Sequence, residues 1–214
     1  MIRYGLMIAL AVTLVACASA PVGVNYYVLG VAKGAVSAPG EQSAEPVVVS
    51  IERVEFATFL RQPGLVMQTG DHQVHLSKTH LWAEPLEHSV PKLLQDRLEA
   101  MGTDVKVYRQ SLGWAREADY QLQLSVEALH ATDTGEVVAA GRYQLLSAGE
   151  IAGEIEGESG GKSGGKSGGK SAGKSIVRDF MFKRDLTEDG HQHAVGQLEL
   201  LVSDIAGQLL THME

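Results

Sequence analysis

Residues 120–128 read YQLQLSVEA, and this stretch decides the fold class that the sequence predicts. Apolar side chains stand at every second position from Tyr120 to Val126, and polar side chains stand between them. A period of two places successive side chains on opposite faces of a β-strand, so one face is expected to be buried and the other to face water. The strand therefore predicts a sheet that is covered on one face.

Further strands are predicted on both sides of this stretch. A glycine-containing turn at residues 132–135 joins it to a strand at 136–147, which gives an antiparallel hairpin. A second hairpin is predicted where Gly70, Asp71 and His72 separate two short segments of β-forming residues. The predicted strands are residues 25–31, 47–54, 65–69, 73–77, 103–109, 120–128, 136–147 and 176–184.

Residues 89–101 form the first predicted helix. Ser89 is placed at the N-cap, Pro91 in the first turn, where a missing N–H costs little, and Gly102 at the end. The stripe at helical spacing consists of Val90, Leu94, Leu98 and Met101. The helix is therefore expected to bury this stripe in the core.

Residues 194–210 form the second predicted helix, with a stripe made of Leu198, Leu201, Val202, Ile205 and Leu209. Two such helices and half-buried strands predict an α+β fold, a two-layer sandwich with a mainly antiparallel or mixed sheet and two main helices packed on one face. Consecutive strands are expected to pair antiparallel through short connections, with the first helix as one longer crossover. The strand order is left open.

The amino terminus has the parts of a secretory signal. Arg3 supplies the positive start, and residues 6–15 form an apolar run of about 10 residues, half the roughly 20 that a spanning helix needs. The run ends in Leu14-Val15-Ala16-Cys17, which resembles the bacterial lipobox. The resemblance implies that Cys17 receives a diacylglyceryl group, that cleavage precedes it, and that the new amino terminus is acylated, palmitate being one such chain.

A lipidated Cys17 would make residues 1–16 a signal peptide and residues 17–24 a lipid-anchored tether. Two or more acyl chains hold a protein stably on a membrane, whereas one holds it only marginally. Ala18, rather than the aspartate associated with inner-membrane retention, favours the outer membrane. The alternative is a cysteine that falls by chance beside an ordinary cleavage site.

Composition excludes one class of partner and one kind of cross-link. The formal net charge is −8, and the basic residues concentrate in one tract, so no nucleic-acid partner is expected because phosphate binding needs a positive surface. Cys17 is the only cysteine, so the mature chain cannot form an intramolecular disulfide. Its stability is expected to come from packing.

Residues 159–175 repeat a Ser-Gly-Gly-Lys-like unit and match the phosphate-loop pattern from Gly160, Gly164 and Gly168. A period of four generates such matches by construction, and no strand-to-helix context surrounds them. A flexible Gly/Ser/Lys linker is the favoured interpretation, and a weak contact of the lysines with anionic lipid or the preceding acidic tract is the alternative. We therefore expect residues 25–214 to form a single domain that this insertion interrupts.

The other residues that could bind a metal, catalyse a reaction or anchor a partner do not form a predicted site. His72, His75 and His80 form one group and His191 and His193 another, but neither provides a convergent set of metal ligands, so surface histidines are predicted. No nucleophile elbow is present, and neither catalytic nor cofactor-binding residues are assigned. Two tryptophans are interpreted as partly buried structural residues, with partner anchors as the alternative: Trp82 and Trp114.

Several short motifs, in their order, resemble one family. They are residues 26–29 (YYVL) after the lipobox, 61–63 (RQP), 82–86 (WAEPL), the helix near Ser89, and 200–202 (LLV) with 205–206 (IA) in the closing helix. In this arrangement the chain resembles the ABC-type transport auxiliary lipoproteins of the PqiC type. The Ser-Gly-Gly-Lys insertion departs from the compact connection between two late strands expected of the family.

The resemblance implies a non-enzymatic lipoprotein in an MCE/ABC-type system that moves phospholipid between membranes and supports outer-membrane integrity. Its partners would be an MCE-domain protein, associated inner-membrane transporter components and the membrane that holds Cys17, with a homo-oligomer as a further expectation. The chain would face the periplasm from the outer membrane. The alternative function is a structural or regulatory envelope lipoprotein that docks a cell-wall synthesis or secretion complex.

Overall fold

A computed structural model describes residues 23–30, 46–109, 118–147 and 175–213 of the chain. Three features lie outside these ranges: Cys17 with its lipobox, Trp114, and the repeat at residues 159–175 except its last residue, Ser175. The predictions attached to them therefore stay predictions.

The described residues form eight strands, two α-helices and a short 3-10 helix. The strands are β1 (Asn25–Tyr27), β2 (Val47–Phe56), β3 (Gly64–Gly70), β4 (Gln73–Trp82), β5 (Val105–Arg109), β6 (Tyr120–Thr132), β7 (Glu136–Ser147) and β8 (Ser175–Asp185). The helices are α1 (Leu86–Met101) and α2 (His191–Leu210), and the 3-10 helix η1 spans Thr58–Arg61. Neither α-helix in these ranges is long and apolar enough to span a membrane.

Strand β6, which contains residues 120–128, is the centre of the sheet. On one side it pairs antiparallel with β7, which pairs antiparallel with β8. Its other side is divided, because β2 pairs in parallel with its first half and β3 pairs in parallel with its last two residues. The sheet is completed by β5 beside β2 and by β4 and β1 beyond β3.

The pairing of consecutive strands was predicted correctly only in part. The hairpins β3–β4 and β6–β7 are confirmed, and β7–β8 is also antiparallel. The expectation fails for β1, β2 and β5, which all lie in parallel pairs: β1 with β4, β2 with β5, and β2 with β6. Parallel neighbours need a crossover, and α1 lies in the connection that precedes β5.

Both α-helices cover one face of the sheet, so the predicted two-layer α+β sandwich is confirmed. The alternation in β6 is as expected, with Leu122, Leu124 and Val126 buried and Gln123 and Glu127 exposed. The largest fully buried side chains of the core come from both layers: Tyr143, Leu145, Leu86, Leu94, Leu98, Leu201, Ile205 and Leu209. The helix stripe predicted for residues 194–210 is therefore buried throughout.

The start of α1 differs from the prediction. The helix begins at Leu86, and Ser89 lies inside it, where its hydroxyl donates to the Pro85 carbonyl at 3.4 Å instead of capping an N-terminus. Burial of Leu86 outweighs the local preference of serine for a cap, because an apolar side chain in the core contributes more than one capping bond. Gly102 ends the helix as expected, and its N–H donates to the Leu98 carbonyl at 2.9 Å.

The bounds and burial of other elements also differ from the predicted ones. Met101, expected in the buried stripe of α1, is exposed because it lies in the last turn. β1 stops at Tyr27, and Leu29 is buried beyond the strand's end. β5 begins at Val105, two residues late, because Asp104 has a positive φ of 56° that a strand cannot continue through. α2 begins at His191, three residues before the predicted start.

Candidate functional site

Three of the segments that carried the family resemblance, residues 26–29, 61–63 and 82–86, meet at one junction beside the start of α1. The Trp82 N–H donates to the Pro63 carbonyl at 2.7 Å, and the Ala83 N–H donates to the Tyr27 carbonyl at 2.8 Å. Arg61 forms an ion pair with Glu87 in the first turn of α1, with an N–O distance of 2.8 Å. The three motifs therefore act together to fix β1, η1 and α1 around the end of β4.

A cavity of about 660 Å³ opens next to this junction, between β3, β4, the end of β6 and the start of α2. Its volume is in the range of small-molecule sites. Apolar side chains form much of its wall: Leu65, Val66, Met67, Trp82, Leu129, Leu186, Val195 and Leu198. Four histidines and three carboxylates also line it: His75, His80, His130, His191, Asp133, Glu188 and Asp189. Within the described ranges no lysine or arginine lines the cavity.

Two histidines that lie 111 positions apart stack at the cavity wall. The rings of His80 on β4 and His191 at the start of α2 are nearly parallel, with centroids 3.6 Å apart and an angle of 5° between planes. The Tyr27 hydroxyl bonds His80 Nδ1 at 2.8 Å, which ties β1 into the same contact. The prediction of surface histidines is wrong for these two, because their stacking half-buries both rings.

His130 is the most buried histidine of the cavity, with 6% of its surface exposed. Its Nδ1 donates to the Ala131 carbonyl at 3.1 Å, and its ring lies against Phe59 of η1. Burial lowers the pKa of His130, since the charged form would lose its water, although the bond to Ala131 acts in the opposite direction. Burial and then the nearby charge of His80 lower the pKa of His191.

These two shifts predict a pH-dependent stability. A histidine whose folded pKa is depressed stays neutral while the unfolded chain takes up a proton, so the free energy of unfolding should fall as the pH drops below about 6.5. The loss should level off below the folded pKa values, where both states are protonated. Urea unfolding at a series of pH values should show this fall, and His130→Gln or His191→Gln should make it shallower. An unchanged slope in both variants would contradict the assignment.

The remaining predicted histidines are dispersed. His72 is exposed at the tip of the β3–β4 hairpin, and His193 lies on α2 with Nδ1 3.8 Å from Glu188 Oε2. In the described part of the chain, no group of three or more His, Cys, Asp or Glu side chains is placed to hold a metal ion. Trp82 is buried in the core, so it acts as a structural residue and is not available as an exposed anchor.

A second surface lies on β7 and β8, on the side of the sheet that points away from α2. We call it the outer face, and it consists of Arg142, Asp179, Lys183, Glu136, Val177 and Met181. Arg142 pairs with Asp179 at 2.6 Å and Lys183 with Glu136 at 3.1 Å, while Met181 between them is 70% exposed. Among the described strands β8 pairs with β7 alone, so within that part of the chain its other edge has no strand partner.

Comparison with known families matches residues 27–209 to the model of the ABC-type transport auxiliary lipoprotein component. Two solved structures share the fold. One is an uncharacterized protein with 20% identity and a TM-score of 0.66, covering 90% of this chain and 99% of its own. The other is protein XCC0632 from Xanthomonas campestris, of family DUF330, with 12% identity and a TM-score of 0.59, covering 87% and 93%. Curated protein sequences gave no significant match.

Proposed function

This chain belongs to the family of ABC-type transport auxiliary lipoprotein components, and we propose from that premise that it serves an MCE/ABC-type system of intermembrane phospholipid transport. The observation that carries the proposal is the extent of the family match, residues 27–209. In this role the chain performs no covalent chemistry. Its contribution is to hold a periplasmic surface at the outer membrane, and so to support the integrity of that membrane.

Lipidation of Cys17 supplies the anchor in this proposal. Cleavage before Cys17 would remove residues 1–16 and leave a tether of residues 17–24 ahead of a single domain. Ala18 supports sorting to the outer membrane, with the domain facing the periplasm. Blocking the lipoprotein signal peptidase with globomycin should cause the unprocessed precursor to accumulate, and unchanged processing would rule out the lipobox.

The outer face is the surface that we assign to the MCE-domain partner. An unpaired strand edge accepts an added strand through backbone hydrogen bonds, and the paired charges beside it offer specificity. Met181 between these charges and Val177 beside them add exposed apolar area, as a docking surface requires. Self-association through the same edge would give the homo-oligomer that the family resemblance suggests.

Photocrosslinking in cells tests the partner and the surface together. A photoreactive amino acid at Met181 should capture an MCE-domain protein, and the same residue at Leu200, an exposed position on α2, is the matched control. Capture should fall by an order of magnitude or more in Cys17→Ala, because losing the anchor removes the local concentration of the domain at the membrane.

Each other result has a defined meaning. Capture of a cell-wall synthesis or secretion component at Met181 would favour the alternative function, a structural or regulatory envelope lipoprotein. Capture of the MCE-domain protein at Leu200 alone would retain the partner and reject the outer face. Capture of neither class at either position would contradict the transport proposal.

A further inference from the structure

Five exposed apolar side chains lie along β1 and β4, at the edge where the chain enters the sheet. Val24, Tyr26 and Val28 stand at alternate positions along and beside β1, and Val74 and Leu76 lie on the neighbouring β4. Their exposed fractions range from 37% for Leu76 to 66% for Tyr26. We call these five residues the amino-terminal patch.

The strand registers place Tyr26, Val74 and Leu76 of the patch on one face of the sheet. Tyr26 is opposite Leu81 on β4, and Leu81 is opposite Gly64 on β3. Val66, two residues further along β3, is opposite Leu76, so Tyr26 and Leu76 share a face. The intervening residues of β4 form a bulge closed by the Ser77 hydroxyl, which accepts the His80 N–H at 3.0 Å.

That face points away from α2. Tyr27, the neighbour of Tyr26, faces the opposite way and bonds His80, whose ring stacks on His191 of α2. Because successive side chains of a strand alternate, Tyr26 lies on the side of the sheet that α2 does not cover. Among the described residues nothing covers the patch, so its side chains are in contact with water.

The position of the patch in the chain indicates what covers it. Val24 is seven positions after Cys17, so the tether reaches at most about 25 Å from the anchor. β1 runs parallel to β4, so the tether enters from the end of the sheet where β4 begins, which is also the end that carries Val74 and Leu76. Residues 18–31 contain no charged side chain that would resist contact with lipid.

The amino-terminal patch and the outer face differ in the charged side chains that surround them. The β3–β4 hairpin, residues 64–82, contains one Asp and one Lys, Asp71 and Lys78, so it carries no net charge with its histidines neutral. The outer face instead holds two ion pairs that would lose water on entering lipid. Tyrosine suits the boundary between head groups and acyl chains, because its ring is apolar and its hydroxyl stays wet.

We propose that the amino-terminal patch contacts the head-group region of the membrane that anchors the chain, and thereby orients the domain. This inference rests on the lipidation of Cys17 in the proposed function. A patch of five side chains needs little affinity of its own, since the anchor holds it beside the bilayer at high effective concentration. The contact would leave the outer face, at the other edge of the sheet, free for a protein partner.

Depth-dependent quenching tests the proposal. Mature lipidated protein carrying Tyr26→Cys is labelled with the fluorophore NBD, since acylation consumes the Cys17 thiol, and is reconstituted in vesicles of phosphatidylethanolamine with a minority of phosphatidylglycerol. Met181→Cys is the matched control, because Met181 lies on the same side of the sheet at the far edge and is equally exposed. Brominated lipid should quench the probe at position 26 several-fold more than the probe at 181. Leu76→Cys provides a second patch position should Tyr26→Cys impair folding.

The outcomes distinguish a failure of this inference from a failure of the proposed function on which it rests. Intact acyl mass with equal quenching at positions 26 and 181 would overturn the patch and leave the anchor standing. Absence of the acyl mass would overturn the anchor, and the patch with it. If the probe at position 26 is protected from water, and this protection vanishes when the protein is diluted among vesicles, the patch would be assigned to a second copy of the chain. If the protection of the probe from water requires an added MCE-domain protein, the patch would be assigned to that partner. Both results would overturn the membrane contact.

Discussion

Replacing Gly141 by alanine is expected to lower the free energy of unfolding by about 3 kcal/mol. Gly141 lies on β7 opposite Val126, where β6 has a register shift. A Cβ at this position would overlap the backbone carbonyl oxygen of Ser125 and would lie 2.9 Å from the Phe180 ring. A carbonyl within a paired central strand cannot move aside without breaking the ladder, so the cost should exceed that of an ordinary overpacked side chain.

Urea unfolding followed by circular dichroism measures this effect, and Gly196→Ala is its control. Gly196 is exposed on α2, and a Cβ there would meet nothing within 4 Å. Alanine should raise the free energy of unfolding by up to about 1 kcal/mol, because it restricts the unfolded chain and favours helix. A Gly141→Ala protein as stable as wild type would show that the β6 carbonyl does not approach β7 so closely.

Leu201→Ala is the second substitution expected to have a large effect, with a loss of about 3 kcal/mol in the free energy of unfolding. Leu201 is fully buried on α2 within the core that both layers share. Truncation removes the transfer free energy of its side chain and leaves a cavity between helix and sheet. Since domains are stable by only about 5–15 kcal/mol, this loss is a large fraction of the total.

The adjacent leucine provides the control for this substitution. Leu200 is 41% exposed on the same helix, so Leu200→Ala should change the free energy of unfolding by no more than about 0.5 kcal/mol. The two variants differ in burial and hardly in helix propensity, so urea midpoints with equal m-values isolate the packing effect. Equal losses in both would contradict the placement of α2 on the sheet.

Periodic segments were predicted correctly because their signal is local. The alternation of residues 120–128 placed Leu122 and Leu124 in the core, and the stripe of the last helix identified Leu201 and Ile205 as buried. A side chain's face follows from backbone geometry alone once the element type is known. Ser89 failed as a cap because a capping preference is a small local term, and burial of Leu86 decided where α1 begins.

The cavity was beyond sequence reasoning for a different reason. His80 and His191 belong to separate predicted groups, and only the packing of α2 over β4 stacks their rings. The alternation upstream would place His130 on the face that α2 covers, but the register shift in β6 turns it to the other face, where it is buried against Phe59 of η1. No local pattern indicates either contact.

The sequence by itself determined the α+β class, the strand at residues 120–128 and the buried stripe of the last helix, since each depends on residues a few positions apart. Tertiary structure alone decided that β2 and β3 share one side of β6 in parallel, that three of the family motifs meet at one junction, and that Tyr26 and Leu76 share an exposed face. Pairing between distant segments depends on which surfaces bury one another, and the burial of these surfaces is a property of the whole chain.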